Sequence, residues 1–343
     1  MEQTIYLGSY TRKESTGIHQ ITLDTTKGRL KNYKLVDEVE SPTYLTLSAD
    51  KQSLFSVYKE ENGAGVISYG RNSDGTYKKR AVNSSENIPP CYISYDAERN
   101  FIFTASYHEG FVSVYQEMED HSLILRDRIY HKGSSVHENQ AASHVHYAAL
   151  SPDNKYLLVC DLGTDEVYSY EVANDGTLTE VSRYTAKPGT GPRHLVFHPN
   201  SSIVYLLGEL SSEVEVLTYN RLDGSFTLLD RISTIPSTHT SFNSGAAIRV
   251  SKDGKYVYSS NRGHDSIAVF KVSDIDQTLS LVEIIPSEGH TPRDFGLSPN
   301  DAFIVVGHQD SDNLTLFKRD SLSGKLSLLQ KDVYAPECVC VTW

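Results

Sequence analysis

Residues 191–210 read GPRHLVFHPNSSIVYLLGEL. From His194 to Phe197 the segment is a short buried strand, HPN is a turn, and IVYLL is a second apolar strand. One such unit says little, but this one recurs. SPTYLTLSADKQSLFSVY, PPCYISYDAERNFIFTASY, SHVHYAALSPDNKYLLVCDL, SGAAIRVSKDGKYVYSSNRG and TPRDFGLSPNDAFIVVGHQD carry the same strand, turn and strand. An acid or amide anchors each turn: Asp50, Glu98, Asp153, Asn200, Asp253 and Asn300, about 50 residues apart. That period lies in the range of propeller blades.

Each pair is followed by a third, alternating strand (VEVLTY, IAVFKV, LTLFKR) and, after a glycine turn or short loop, a fourth (GSFTLLDR, GTLTEVSR, GKLSLLQK). Four short antiparallel strands repeated radially make a β-propeller. The ends complete the count. MEQTIYLGSYT, GIHQITLD and GRLKNYKL match the second, third and fourth strands of a unit that lacks a first, and PECVCVTW supplies a first strand alone. Joined, they make a seventh blade shared by the two termini, which leaves no open edge in the ring. The expectation is an all-β chain, a seven-bladed propeller of four-stranded antiparallel blades, forming one domain over residues 1–343. A β-sandwich pair or an open solenoid would not account for the split repeat.

Composition agrees. The chain has 22 Tyr and 22 Gly against 2 Met and 1 Trp, with β-branched runs throughout. A net charge of −12 argues against a duplex nucleic-acid binder. No apolar run approaches a membrane span, and MEQTIYLGSY lacks the regions of a secretory signal. Cys91, Cys160, Cys338 and Cys340 are scattered without metal-type spacing, so a reducing, cytoplasmic setting is expected. Oligomeric state is left open.

Aligning the repeats separates packing positions from free ones. Seven residues before each anchor stand Thr43, Cys91, His146, Arg193, Ala246 and Arg293, with Glu337 in the same slot of the split blade. Nine residues after it stand Lys59, Tyr107, Leu162, Glu209, Arg262 and Gln309. In a propeller the first strand lines the central channel, and the end of the antiparallel second strand lies beside its start. Both variable sets therefore converge on one rim. That is why Arg193 opens an otherwise apolar strand: its end faces the channel mouth rather than the core.

His146, Arg193, Glu209, Arg262 and Arg293 form the core of this set, with Lys59, Tyr107, Gln309 and His194 beside them. Three arginines on one rim of an acidic protein suit an anionic ligand, because guanidinium forks match phosphate or carboxylate. The bland alternative is an Arg–Glu network that only stabilises the mouth. HVH at 144–146 is a possible zinc pair, but the cationic neighbours oppose a dication, and neither metal nor cofactor is expected. No GxSxG elbow supports a serine hydrolase. The strand tyrosines read as blade packing.

Taken together, YLGSYT, HVHYAALSPDNKYLLVCDLGTD, GTGPRHLVFHPN with GEL, SKDGKYVYSSNRGHDSIAVF and HTPRDFGLSPN with NDAFIVVGHQDSDNLTLF resemble the lactonase family of seven-bladed propellers. The likeness covers the whole chain. The family's namesake activity is 6-phosphogluconolactonase, and a related branch comprises carboxymuconate-lactonising cycloisomerases. The resemblance implies a His, Arg and Glu site in the channel mouth, here His146, Arg193, Glu209 and Arg262, with Arg293 and Gln309 adjacent. The second full copy departs, with Cys91 and Tyr107 at its rim positions. The implied activity is hydrolysis of 6-phosphogluconolactone in the pentose phosphate pathway. The base is His146 or Glu209, with His146 preferred and Glu209 orienting it or a water; Arg293 and Arg193 are expected to hold phosphate, and Arg262 or His194 to donate to the oxyanion. Lactone-forming cycloisomerisation and a non-catalytic propeller that binds an anionic metabolite or protein are the other readings.

Overall fold

The computed structural model describes residues 1–200 and 202–343; Ser201 lies outside the described residues. Its strands form seven four-stranded antiparallel sheets, each hydrogen-bonded in simple up-and-down order from the channel outward. Helical structure among the described residues is a single short 3-10 turn at Glu138–Gln140. Among the described residues, no helix is long and apolar enough to cross a membrane. Blade 1 is the shared one: Cys338–Thr342 pairs with Glu2–Ser9, which pairs with Gly17–Asp24 and then Arg29–Glu38. Blades 2 to 7 follow in chain order, their inner strands being Leu45–Leu47, Tyr92–Asp96, Val145–Leu150, Pro192–Phe197, Ser244–Val250 and Pro292–Leu297.

Turn chemistry explains why the anchors are alike. Ser48, Ser151, Ser251 and Ser298 donate their hydroxyls to Asp50, Asp153, Asp253 and Asn300, at 2.6, 2.6, 2.6 and 2.9 Å. Each hydroxyl in turn accepts the first backbone N–H of the following strand, as from Tyr156 at 3.1 Å and Tyr256 at 3.0 Å. These residues set the hairpin by local side-chain bonding. They lie at the end of the ring opposite the rim.

The core sits between blades. Phe103 and Val112 of blade 3 pack on Leu157 and Val159 of blade 4. Ile5, Ile21, Val305 and Leu314 meet Cys338 and Val341 across the closing seam. Because neighbours cover both faces, the third strands are buried on both sides despite their alternating sequence. In Glu213–Tyr219 the carboxylate of Glu215 is fully buried, and is kept there by Arg231 at 2.6 Å and Tyr184 at 2.8 Å. The fourth strands, such as Phe226–Ser233, carry most of their residues partly or fully exposed.

Candidate active site

Five inner strands break register near their rim-side ends, and in three of them the skipped residue is a histidine or an arginine. Pairing passes from Pro192↔Gly208 to His194↔Leu207, from Val145↔Asp161 to Tyr147↔Cys160, and from Pro292↔His308 to Asp294↔Gly307. The unpaired residues are Arg193, His146 and Arg293. A bulge kinks the strand and re-aims one side chain. Here three bulges turn polar side chains into the channel while the residues on either side keep their ladder bonds.

Loops between blades hold these bulges in place. Asp165, in the hairpin after the second strand of blade 4, accepts Gly189 and Gly191 N–H groups, both at 2.7 Å, just ahead of Arg193. Gly191 has φ +63°, and a β-carbon there would sit 2.6 Å from Leu210 Cγ, so both the backbone and the space call for glycine. Asp265 accepts Thr291 N–H at 2.9 Å ahead of Arg293. Asp161 accepts His144 N–H at 2.8 Å ahead of His146, while Ser143 and His131 bond its other oxygen at 2.6 and 3.1 Å.

His146, Glu209, Arg262, Arg293, Tyr107 and Lys59 all border one cavity of about 640 Å³ at the channel mouth. Arg193 and His194 do not; they border a crevice of about 20 Å³ beneath it, which Arg293 also lines. Gln309 lines neither, and its amide donates to Asp310 at 3.2 Å. Lys59 is paired with Glu40 at 3.2 Å. His144 points away from a shared metal site: its Nδ1 lies 2.8 Å from the Tyr107 carbonyl and its ring stacks on Tyr107 at 4.3 Å.

At the floor, Glu209 Oε2 lies 2.8 Å from Arg193 Nε and 3.0 Å from Arg262 Nη2. Arg262 Nη2 also donates to Ser244 Oγ at 2.6 Å and to the Gly245 carbonyl at 2.9 Å. Arg193 Nη1 donates to the Ala246 carbonyl. Arg193 is thus a buried strut and not an open ligand contact. Arg293 has no carboxylate partner among the described residues. Three guanidiniums against one carboxylate leave the floor cationic in an acidic chain.

Burial would raise the Glu209 carboxyl, but Arg262 and Arg193, followed by His146 and Arg293, hold it far below its ordinary value. It stays ionised and is a poor base. His146 moves the other way: burial, then Arg193, pushes its pKa well below the ordinary histidine range. The residue is 3% exposed, and its buried Nδ1 has no hydrogen-bond partner among the described residues. Tyr107 and His194 stand edge-on to it at 5.7 and 5.3 Å.

Below the rim, the residues that follow the rim positions of five blades, Tyr44, Tyr92, Tyr147, His194 and Asp294, are packed or paired with neighbours. Tyr92 packs on Tyr44 at 4.4 Å, on Tyr147 at 4.7 Å and on His194 at 5.3 Å. Asp294 pairs with Arg249 at 2.8 Å and accepts Val341 N–H at 2.9 Å. Ligand access is therefore from the rim side.

Residues the repeat alignment did not single out also build the mouth. Tyr10 and Arg12 line the cavity from the loop after the Glu2–Ser9 strand. Glu337, which the alignment put at the rim, instead accepts the N–H groups of Arg12 and Lys13 at 2.9 and 2.8 Å. The motifs GTD, GHD and DSD, each ending on Asp165, Asp265 or Asp312, were the visible sign of the inter-blade loop anchors.

The family model described as "Lactonase, 7-bladed beta-propeller" matches residues 4–343. The 6-phosphogluconolactonase of Bacillus subtilis is 39% identical over 340 residues, 98% of this chain and 97% of that one. A Lactobacillus plantarum protein of solved structure is 45% identical with a TM-score of 0.96, covering 100% of this chain and 99% of its own. The periplasmic gluconolactonase of Pseudomonas aeruginosa is 30% identical with a TM-score of 0.94, covering 99% and 98%. Fold, split blade and whole-chain match agree: this chain belongs to the lactonase family of seven-bladed β-propellers.

Proposed function

We propose that the protein hydrolyses a phosphorylated sugar lactone, 6-phosphogluconolactone, to the open acid. The observation that carries this reading is His146: a neutral, buried imidazole with an unpartnered nitrogen on the wall of a cationic cavity. A base must be unprotonated near neutral pH, with an acceptor not already committed to a protein donor, and His146 meets both conditions. Glu209 is also unprotonated, but its charge is committed to two guanidiniums, which makes it a poor base.

In this mechanism a water is deprotonated by His146 as its oxygen attacks the lactone carbonyl carbon. Negative charge develops on the carbonyl oxygen, where Arg293 and Arg262 are the available donors. Collapse breaks the ring C–O bond, and the imidazolium returns its proton to the departing ring oxygen. The product is a hydroxy acid whose new carboxyl group loses its proton to solvent, and His146 is again neutral. Glu209 keeps Arg193 and Arg262 in place and balances their charge; it is a positioning residue. Tyr107, edge-on to His146, limits the ring's orientation.

The names of the B. subtilis and P. aeruginosa relatives support lactone chemistry, and the first supports a phosphorylated substrate. A cytoplasmic setting goes with a phosphorylated sugar and with four free cysteines. The test is hydrolysis of freshly generated 6-phosphogluconolactone, coupled to 6-phosphogluconate dehydrogenase. The expected result is acceleration above the spontaneous rate that is lost on Arg293→Ala. A folded protein that gives no acceleration contradicts the proposal.

A further inference from the structure

Most cations at the mouth already have a carboxylate. Arg193 and Arg262 share Glu209, Lys59 has Glu40 at 3.2 Å, and Lys13 has Asp312 at 3.4 Å. Arg293 is unpaired, but it occupies the same repeat slot as His146 and reaches into the crevice below, so it belongs beside the reacting carbonyl. That leaves Arg12. Its side chain is exposed on the cavity edge, with the guanidinium carbon 3.8 Å from the centre of the Tyr10 ring and no side-chain carboxylate partner among the described residues.

The loop under Arg12 is rigidly held. Buried Glu337 accepts both Arg12 and Lys13 N–H groups, Tyr10 N–H donates to the Glu337 carbonyl at 3.2 Å, and Glu337 N–H donates to Asp312 at 3.0 Å. Thr11 Oγ1 accepts Ser41 N–H at 3.2 Å. Tyr10 lines both the cavity and the crevice, so one residue connects the outer guanidinium to the depth of Arg293. A stacked, pre-oriented guanidinium presents its fork at low entropic cost, which suits a phosphate group.

We propose that Arg12 is a specificity-determining residue of this site: it receives the phosphate of a phosphorylated lactone at the cavity edge while the lactone ring lies deeper, between Arg293 and His146. The inference rests on the lactone-hydrolysis reading above, and it moves the phosphate contact from the floor to the rim. Arg193 cannot serve there, because it borders only the crevice.

The test compares kcat/KM for 6-phosphogluconolactone and for glucono-δ-lactone in wild type, Arg12→Ala and Arg12→Lys. The expected result is that Arg12→Ala lowers the phospholactone-to-lactone ratio by about ten- to a hundredfold, mainly through KM, the range of a charge-assisted pair. Arg12→Lys should recover part of the ratio, keeping charge but not the fork. A ratio unchanged in Arg12→Ala overturns the proposal, whether or not both rates fall, since a merely structural loss moves both substrates together. If wild type accelerates neither lactone, the hydrolysis reading fails on its own and calorimetry decides Arg12. Binding of 6-phosphogluconate more tightly than gluconate, lost in Arg12→Ala, supports the phosphate contact; equal binding by wild type and variant overturns it.

Discussion

Glu209 and His146 face one cavity and are both buried, yet they end in opposite roles: the arginines overcome burial to keep Glu209 charged, whereas burial, reinforced by the arginines, keeps His146 neutral. Cations beside a carboxyl favour its charged form, and cations beside an imidazole disfavour its charged form. The first becomes a fixed anion and the second a neutral base. Glu209 should therefore matter to stability as much as to activity. Replacing it by Gln leaves Arg193 and Arg262 buried against each other, and removing one partner of a buried pair typically costs about 3–5 kcal/mol. The sign with pH follows from its depressed folded pKa. Its contribution is fully present above the unfolded value of about 4.3 and is lost as pH falls through the lower folded value. Denaturant unfolding across acid pH should show wild type losing stability in that window and Glu209→Gln losing less; parallel curves would refute the assignment.

Between residue and ring stands the bulged inner strand with its loop anchor. Asp165 is 2% exposed and gathers Gly189 and Gly191 N–H groups, the Gln140 amide at 2.8 Å and the Ser135 hydroxyl at 2.5 Å. Asp165→Ala orphans several buried donors, so a stability loss of about 2–4 kcal/mol is expected, together with lower kcat as Arg193 loosens under Glu209. Asp165→Asn, which keeps one acceptor oxygen, should lose less. Unfolding midpoints and steady-state rates check both. At this scale the sequence was only partly readable. Apolar strand runs and turns anchored on Asp, Glu or Asn located the strands, because those signals are local. The bulges at His146, Arg193 and Arg293 left no local trace, since one extra residue in a strand alters pairing and not composition. Gln309, aligned with Glu209 and Arg262, was expected at the mouth and borders neither cavity, its amide turned to the neighbouring Asp310. Arg12 went unnoticed because it sits in a loop of the split blade, outside the aligned slots.

At the scale of the molecule, function depends on closure. The cavity draws on residues from the first blade to the last, so Tyr10, His146, Glu209 and Arg293 meet only if the ring is shut. Cys338–Thr342 shuts it by pairing with the Glu2–Ser9 strand, and Val341 N–H further ties the seam to Asp294. Removing residues 336–343 would open a sheet edge and uncover the cluster around Val341 and Cys338. The expected outcome is loss of cooperative unfolding and aggregation, seen by thermal melt and size exclusion; a monomeric, cooperatively melting truncation would contradict it. This level was the most legible in sequence, because a repeat with complementary missing pieces at its two ends has few other geometric solutions.

The most direct test of the account is the turnover of 6-phosphogluconolactone by folded His146→Ala, set against wild type from pH 5 to 8. With His146 as base, wild type should hold its rate down to a pH below the ordinary histidine pKa of about 6.5, and the variant should lose about a hundredfold or more in kcat. Near-full turnover by His146→Ala, with the acid limb unmoved, would remove the base from this site and the central claim with it.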